Sequence, residues 1–297
     1  MTPVIEADGL TKLYGSIRGI EDVTFTVEAG EIFGFLGPNG AGKTTAIRTL
    51  LDLLHPTRGA ARLFGLDSRR YSVEIRTRLG NLPGDFGYGA SATGRAALSL
   101  LARLRGVDGT GRAETLARRF RAELDRPLGQ LSRGNRQKVG LILAAFHEPE
   151  LLVLDEPTSG LDPLMQEEFL SLVEEERARG CAVFLSSHEL DEVERVCDRV
   201  GIVRGGRLIA VERIADLLEK ALRRITVELA DPSAFESLRS LPGVTNFQIH
   251  GRRASFHITG ALDPVIATIA SQHVVDLEAT HPALEEVFLT YYREDDS

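Results

Sequence analysis

The stretch Gly37-Pro38-Asn39-Gly40-Ala41-Gly42-Lys43-Thr44 constrains the fold more than any other part of the chain. It fits GxxxxGK[ST], follows the apolar run EIFGFL and precedes the helical AIRTLLDLL. Glycines without side chains let successive backbone N–H groups close around phosphate oxygens at the positive end of a helix. Lys43 reaches the terminal phosphates, and the Thr44 hydroxyl is a hard oxygen ligand for Mg²⁺. The segment from Gly37 to Thr45 is therefore the expected phosphate cradle.

The flanking sequence predicts an α/β architecture. VTFTV alternates, with Val23, Phe25 and Val27 on one side, as a half-buried strand does. EIFGFL, LLVLD and CAVFLSS are continuous apolar runs suited to parallel strands covered on both faces. Asp162-Pro163 opens a stretch with Met165, Phe169 and Leu172 on one face that stops at Gly180, which predicts a capped helix. Leu98, Leu101 and Leu104 among Ala and Arg mark a helical insert, a subdomain over about 85–140. Past about Arg213 the apolar segments follow in the order β α β β α β of a ferredoxin-like unit, with a last helix in ALEEVFLTYY. The expected domains are 1–215 and a small α+β accessory domain over 216–297.

Charge and composition exclude several classes. The 43 acidic residues against 35 basic ones give a net charge of −8, a field that repels phosphate polymers, so no nucleic-acid partner is expected. Cys181 and Cys197 are the only cysteines and sit in apolar or helical surroundings, which predicts buried thiols in a reducing compartment. No apolar run approaches the roughly 18–20 residues that a bilayer-spanning helix needs. The opening MTPVIEADGL carries Glu6 and Asp8 where a secretory leader would be basic and then apolar, so the chain is expected in the cytoplasm.

Asp155 and Glu156 close the strand LLVL, where parallel sheets bind their ligands. Asp155 is placed to hold Mg²⁺ through its water shell, and Glu156 to polarise an attacking water.

Between the phosphate loop and that strand, Leu131-Ser132-Arg133-Gly134-Asn135-Arg136-Gln137 resembles the LSGGQ signature of ATP-binding cassette (ABC) proteins. Tyr14 in LTKLYG is similar to the family's adenine-stacking aromatic, Ser159-Gly160-Leu161-Asp162 to its D-loop, and His188 in LSSHEL to its switch histidine. Singly, Tyr14 reads as a half-buried strand-end residue, His188 as a capping or core histidine, and Ser132 with Gly134 as a helix cap and turn. Their order and spacing, over about residues 4–212, are what carry the resemblance.

The resemblance implies a P-loop NTPase fold that binds ATP and Mg²⁺, with Glu156, His188 and Lys43 catalytic. It adds nucleotide contacts from Tyr14 and, toward the ATP of an opposite subunit, from Ser132, Arg133, Gly134, Asn135 and Asp162. It also implies a second ATPase subunit, identical or closely related. PELLVLDEPTSGLDPL, the ferredoxin-like tail and HPALEEVFL look like the daunorubicin-resistance branch of drug and antibiotic exporters. That branch implies a separately encoded membrane permease, with this chain peripheral on the cytoplasmic face.

Two departures stand out. The family's Q-loop glutamine falls at Gly84, leaving Asp85 as a substitute metal ligand, and the signature has Arg133 for the first of its two glycines and Asn135 for its final glutamine. The rivals are a soluble cassette acting in DNA repair or translation and a regulatory ATPase whose C-terminal domain senses a ligand. A single phosphate loop, the absence of a heptad run and the net charge of −8 weigh against the first of these.

Overall fold

The computed structural model describes residues 2–85, 89–220, 223–259, 261–270, 272–280 and Phe288. The chain forms two compact units, Met1–Arg213 and Ile214–Ser297.

In the first unit β1 (Ile5–Tyr14) pairs antiparallel with β2 (Ile17–Val27). Val23, Phe25 and Val27 of β2 are buried while Thr24 and Thr26 between them are exposed, as the alternation predicts. β3 (Ile32–Leu36) leads through the phosphate loop into α1 (Lys43–Leu50). β4 (Arg58–Leu63) and β5 (Leu66–Asp67) complete an antiparallel sheet ordered β2-β1-β4-β5. Next come α2 (Ser72–Arg78) and β6 (Leu79–Leu82), then a helical layer of α3 (Gly94–Arg105), α4 (Thr110–Phe120) and α5 (Arg133–Ala145). Leu98 of α3 is buried, whereas Leu104 is 72% exposed, so the leucine spacing that marks the helix does not describe one buried stripe.

The chain then alternates: β7 (Leu151–Asp155), α6 (Pro163–Ala178), β8 (Ala182–Ser187), α7 (Leu190–Val196), β9 (Arg199–Arg204) and β10 (Arg207–Arg213). α6 begins as its sequence predicts, with the Asp162 carboxylate accepting from Met165 N at 3.1 Å. The second sheet runs β10-β9-β3-β8-β7-β6. All its neighbours are parallel except the edge pair β10 and β9. Every residue of β3, β7 and β8 is buried, which is why these segments read as apolar runs that give way to polar residues only at Asp155, Ser186 and Ser187.

Phe25 of the antiparallel sheet stacks on Phe33 and Phe184 of the parallel one, with ring centroids 5.3 and 5.5 Å apart. These contacts lock the two sheets together behind the phosphate loop. Register does the rest: Leu36 pairs with Ser187 and Asp155 with Ser186, so the carboxyl ends of β3, β7 and β8 share one edge. The phosphate loop, Glu156 and His188 leave the sheet there.

The second unit contains α8 (Ile214–Lys220), β11 (Arg223–Leu229), α9 (Phe235–Arg239), β12 (Val244–His250), β13 (Arg253–Ile258), α10 (Asp263–Ala270) and β14 (Val274–Thr280). Its sheet is antiparallel and ordered β12-β13-β11-β14, the order of a ferredoxin-like unit. Ile225, Val227 and Leu229 bury one face with Phe235, Leu238 and Ile269. The helix expected in ALEEVFLTYY lies, apart from Phe288, outside the described residues.

Both cysteines are buried and free, and burial pushes the Cys181 thiol up to about 12 and the Cys197 thiol well above its ordinary value. Neither offers a thiolate. Among the described residues no helix is long and apolar enough to cross a membrane.

Candidate active site

Gly42 caps α1 with φ 106°, and a Cβ there would lie 2.6 Å from the Gly19 carbonyl oxygen, so this turn requires glycine. α1 has no acidic residue in its first turn, which leaves the positive end of the helix open to an anion. Lys43 is buried, and its ammonium donates to Gly37 O at 2.6 Å and Pro38 O at 3.3 Å while pairing with Glu156 Oε1 at 3.0 Å. Tyr14, the last residue of β1, is 46% exposed. Its ring and the Thr45 methyl flank Gly19, whose absent Cβ would sit 2.8 and 2.9 Å from them. An exposed aromatic face thus stands beside the start of α1.

At the end of β7, Asp155 is buried and its Oδ1 accepts from Ser186 Oγ at 2.6 Å. Gly84 packs against the same carboxylate, since a Cβ on it would lie 2.8 Å from Asp155 Oδ2. Glu156 has φ 51°, a left-handed conformation that costs a non-glycine residue about 1–2 kcal/mol. Neighbours hold it there: its N–H donates to Ser186 O at 3.2 Å and Ser186 Oγ at 3.1 Å. The buried Gln137 amide donates to the carbonyls of Glu156 and Pro157, both at 3.0 Å. In this pose Glu156 offers Oε1 to Lys43 and Oε2 to His188 Nδ1 at 2.5 Å.

The signature segment begins α5. Ser132 caps the helix by accepting from Asn135 N at 3.2 Å, and Asn135 Nδ2 donates to Glu123 Oε1 at 3.1 Å. Arg133 Nη2 donates to Ser159 Oγ at 2.6 Å, and a Cβ on Gly134 would lie 2.5 Å from Gly160 O. The signature therefore rests on the loop between β7 and α6 of its own chain.

A cavity of about 420 Å³ gathers Asn39 and Thr44 from the phosphate loop with Asp85, Asp155, Glu156 and His188. Arg133 also lines it, so the arginine that the sequence assigns to a partner's nucleotide borders its own chain's cavity. Ser132, Asn135 and Asp162 instead serve as helix caps or side-chain bridges.

The ABC transporter family matches residues 20–159. The chain is 36% identical over 234 residues to the bacitracin transport ATP-binding protein of Bacillus licheniformis, covering 78% of this chain and 76% of that one. The family is settled by that match. The chain is an ABC transporter ATP-binding subunit. It is also 34% identical to a daunorubicin resistance ATP-binding protein of Streptomyces coeruleorubidus, over 96% of this chain and 94% of that one. A solved ATP-binding subunit of an ABC transporter superimposes with a TM-score of 0.68 at 32% identity, covering 73% of this chain and 92% of that one. A solved dimeric ABC transporter cassette, at 21% identity and a TM-score of 0.63, shares the fold.

This ABC ATPase binds ATP. The candidate site is also built on residues to which the motifs give no role: Gln137 and Ser186 hold the Glu156 backbone, and the Ser187 carbonyl accepts from Gly37 N at 3.3 Å. Gln137 stands in the signature segment, two positions before the apolar run VGLILAA, but only the fold shows that it is buried against the Glu156 carbonyl. The two serines carried no signal, because strand-end hydroxyls are common and their partners are distant in sequence.

Proposed function

We propose that this chain is the ATP-hydrolysing subunit of an exporter of drug-like or antibiotic compounds, working as a pair of cassettes beneath a separate membrane permease on the cytoplasmic face. The names of its relatives, for bacitracin transport and daunorubicin resistance, support the export reading. The observation that carries hydrolysis is the Glu156 carboxylate, held between Lys43 and His188 beside the phosphate cradle.

ATP lies with its adenine on Tyr14 and its phosphates over the N–H groups of residues 39–45. Thr44 Oγ1 and Asp155 are hard oxygen donors on one cavity wall, the donor chemistry that suits Mg²⁺. Thr44 and Asp155, the latter through water, would hold Mg²⁺, with Asp85 as a further candidate ligand, and the ion would supply neutralisation of phosphate charge. Glu156 takes or orients the proton of a water in line with the γ-phosphate, and Lys43 leaves Glu156 to meet the phosphate oxygens. His188 holds the Glu156 carboxylate in line and steadies the charge that develops.

Ser132, Gly134 and Asn135 contact the nucleotide of the second cassette, and Asp162 orders the loop between them. ATP thereby closes the pair, and hydrolysis reopens it. The permease engages the surface beside residues 80–100, which borders a groove of about 520 Å³ where Leu53, Val73 and Leu104 are exposed.

The deciding experiment is Mg-ATP hydrolysis by the parent and by Glu156→Gln, with light scattering alongside. The variant is expected to lose about a hundredfold or more in rate and to accumulate as a dimer with ATP. Parental turnover by Glu156→Gln, or full turnover by a strict monomer, refutes the reading.

A further inference from the structure

Glu192 of α7 is 7% exposed, and the steps described so far make no use of it. Its Oε2 accepts from Ser187 Oγ at 2.6 Å and from Thr158 Oγ1 at 3.2 Å, while its Oε1 is buried with no hydrogen-bond partner. The two hydroxyls belong to the two segments that carry the hydrolytic pair: Ser187 directly precedes His188, and Thr158 follows Glu156 and Pro157. Ser187 Oγ also accepts from Glu189 N at 3.0 Å, which closes the turn around His188. The Ser187 carbonyl accepts from Gly37 N at 3.3 Å, at the entry to the phosphate loop. One carboxylate oxygen thus ties the base-bearing loop to the histidine-bearing loop. Burying a carboxylate with one oxygen unpartnered is costly, so the tie is maintained against stability.

We propose that Glu192 is a positioning residue for ATP hydrolysis: its ionised carboxylate clamps the Ser187 and Thr158 hydroxyls, keeps His188 seated on Glu156, and lets turnover fall when it becomes neutral. The proposal rests on the roles given above to Glu156 and His188.

The surroundings bear on the charge state. Burial first, and then the negative charges of Glu156 and Glu189, raise the Glu192 carboxyl to about 7 against the pull of its two hydroxyl donors. From its own helix Asp191 and Arg195 line the adjoining cavity, and Arg195 is held at 2.6 Å by Glu167 of α6. Gln166 faces the cavity from α6. His188 lies on the preceding turn, and the Cys197 thiol, itself raised partly by the Glu192 charge, follows α7. A proton on Glu192 weakens Oε2 as an acceptor, and on Oε1 it would find no acceptor in place. The clamp is therefore strong above about pH 7 and slackens below it.

The test is Mg-ATP turnover of the full chain from pH 6 to 9 for the parent, Glu192→Gln and Ser187→Ala. Glu192→Gln, neutral at every pH, should lower kcat about tenfold at pH 8.5, the worth of one charged hydrogen bond. Its KM for ATP should stay within about twofold, a limit set well below one charged bond, because no phosphate contact is lost. Parent and variant should converge near pH 6, and the variant should lack the acid limb near pH 7. Ser187→Ala should cause a similar kcat loss, to which Glu192→Gln adds little. A Gln variant that keeps the parental acid limb, a loss confined to KM, or additive losses in the double variant overturn the proposal. Glu156→Gln, run in parallel, separates the two readings. Its inactivity beside a parental profile for Glu192→Gln sinks the Glu192 clamp alone, whereas its full activity sinks both.

Discussion

The Glu156 carboxylate sits 3.0 Å from the Lys43 ammonium. Together with Gly37 O and Pro38 O it takes up all three donors of that ammonium. An arriving γ-phosphate must therefore compete with Glu156 for Lys43, and it also meets the negative charge of Glu156. Glu156→Gln removes the competitor and the repulsion while keeping the shape. We expect it to bind ATP about tenfold more tightly, a gain of about 1.4 kcal/mol, even as hydrolysis is lost. Lys43→Ala should do the reverse, weakening ATP binding by about tenfold or more. Calorimetric titration with ATP checks both, and unchanged affinity in Glu156→Gln would show that the ion pair does not oppose binding.

Gly84 makes a second test possible. Its missing Cβ would lie 2.8 Å from Asp155 Oδ2, and that carboxylate cannot swing away freely because Ser186 Oγ holds Oδ1 at 2.6 Å. Gly84→Ala should push Asp155 off its place by a few tenths of an ångström, lower kcat by about tenfold and raise the Mg²⁺ needed for half-maximal turnover. Gly84→Gln, which restores the family's usual side chain, should be no better. Full activity in either variant would show that Asp155 has room to give.

His147 supplies a stability test with a defined sign. Burial, and then the charge of Arg105, hold its imidazole down at about 4, against a donated hydrogen bond from Nε2 to Leu79 O at 3.2 Å. The folded state therefore resists a proton that the unfolded chain accepts below about pH 6.5. This contribution is intact above that pH and is lost as pH falls toward 4, by about 2 kcal/mol at pH 5. His147→Phe should flatten the fall in unfolding midpoint between pH 7.5 and pH 5. An equal slope in the variant would place the acid sensitivity elsewhere.

How far the sequence reaches is clearest from particular residues. β3, β7 and β8 were legible because strands buried on both faces are apolar up to the polar residues at their carboxyl ends, and the start of α6 because Asp162-Pro163 is a local signal. Tyr14 and His188 were legible only by resemblance, since strand-end position is shared with many inert residues. The clamp on Glu156 was not legible. Gln137 and Ser186 reach Glu156 from 19 and 30 positions away, and Glu192 reaches Thr158 from 34, and no local periodicity encodes a pairing at that range. Arg133 was half legible: its charge was plain, but its bond to Ser159 depends on how α5 sits against the loop after β7.

The apolar groove tests the membrane partner. Val73 is 77% exposed and Leu104 72% exposed, and with Leu101 and Leu143 they border one concavity on the first unit. Exposed side chains of this kind contribute little to folding, so charges there should shift stability by no more than about 0.5 kcal/mol. A short amphipathic helix from the proposed permease would bury the same side chains, and two carboxylates there would forfeit that apolar contact and be desolvated, with only Arg76 and Arg105 on the lining to pair them. Val73→Glu with Leu104→Glu should therefore leave the hydrolysis rate of the purified chain within about twofold, as surface changes away from the reacting groups do. The same pair of changes should abolish recovery of the chain with detergent-solubilised membranes. If the double variant stays with the membrane fraction, the groove is not the proposed permease contact. If it loses hydrolysis in solution, the groove is coupled to the nucleotide cavity through Asp85, which lines both.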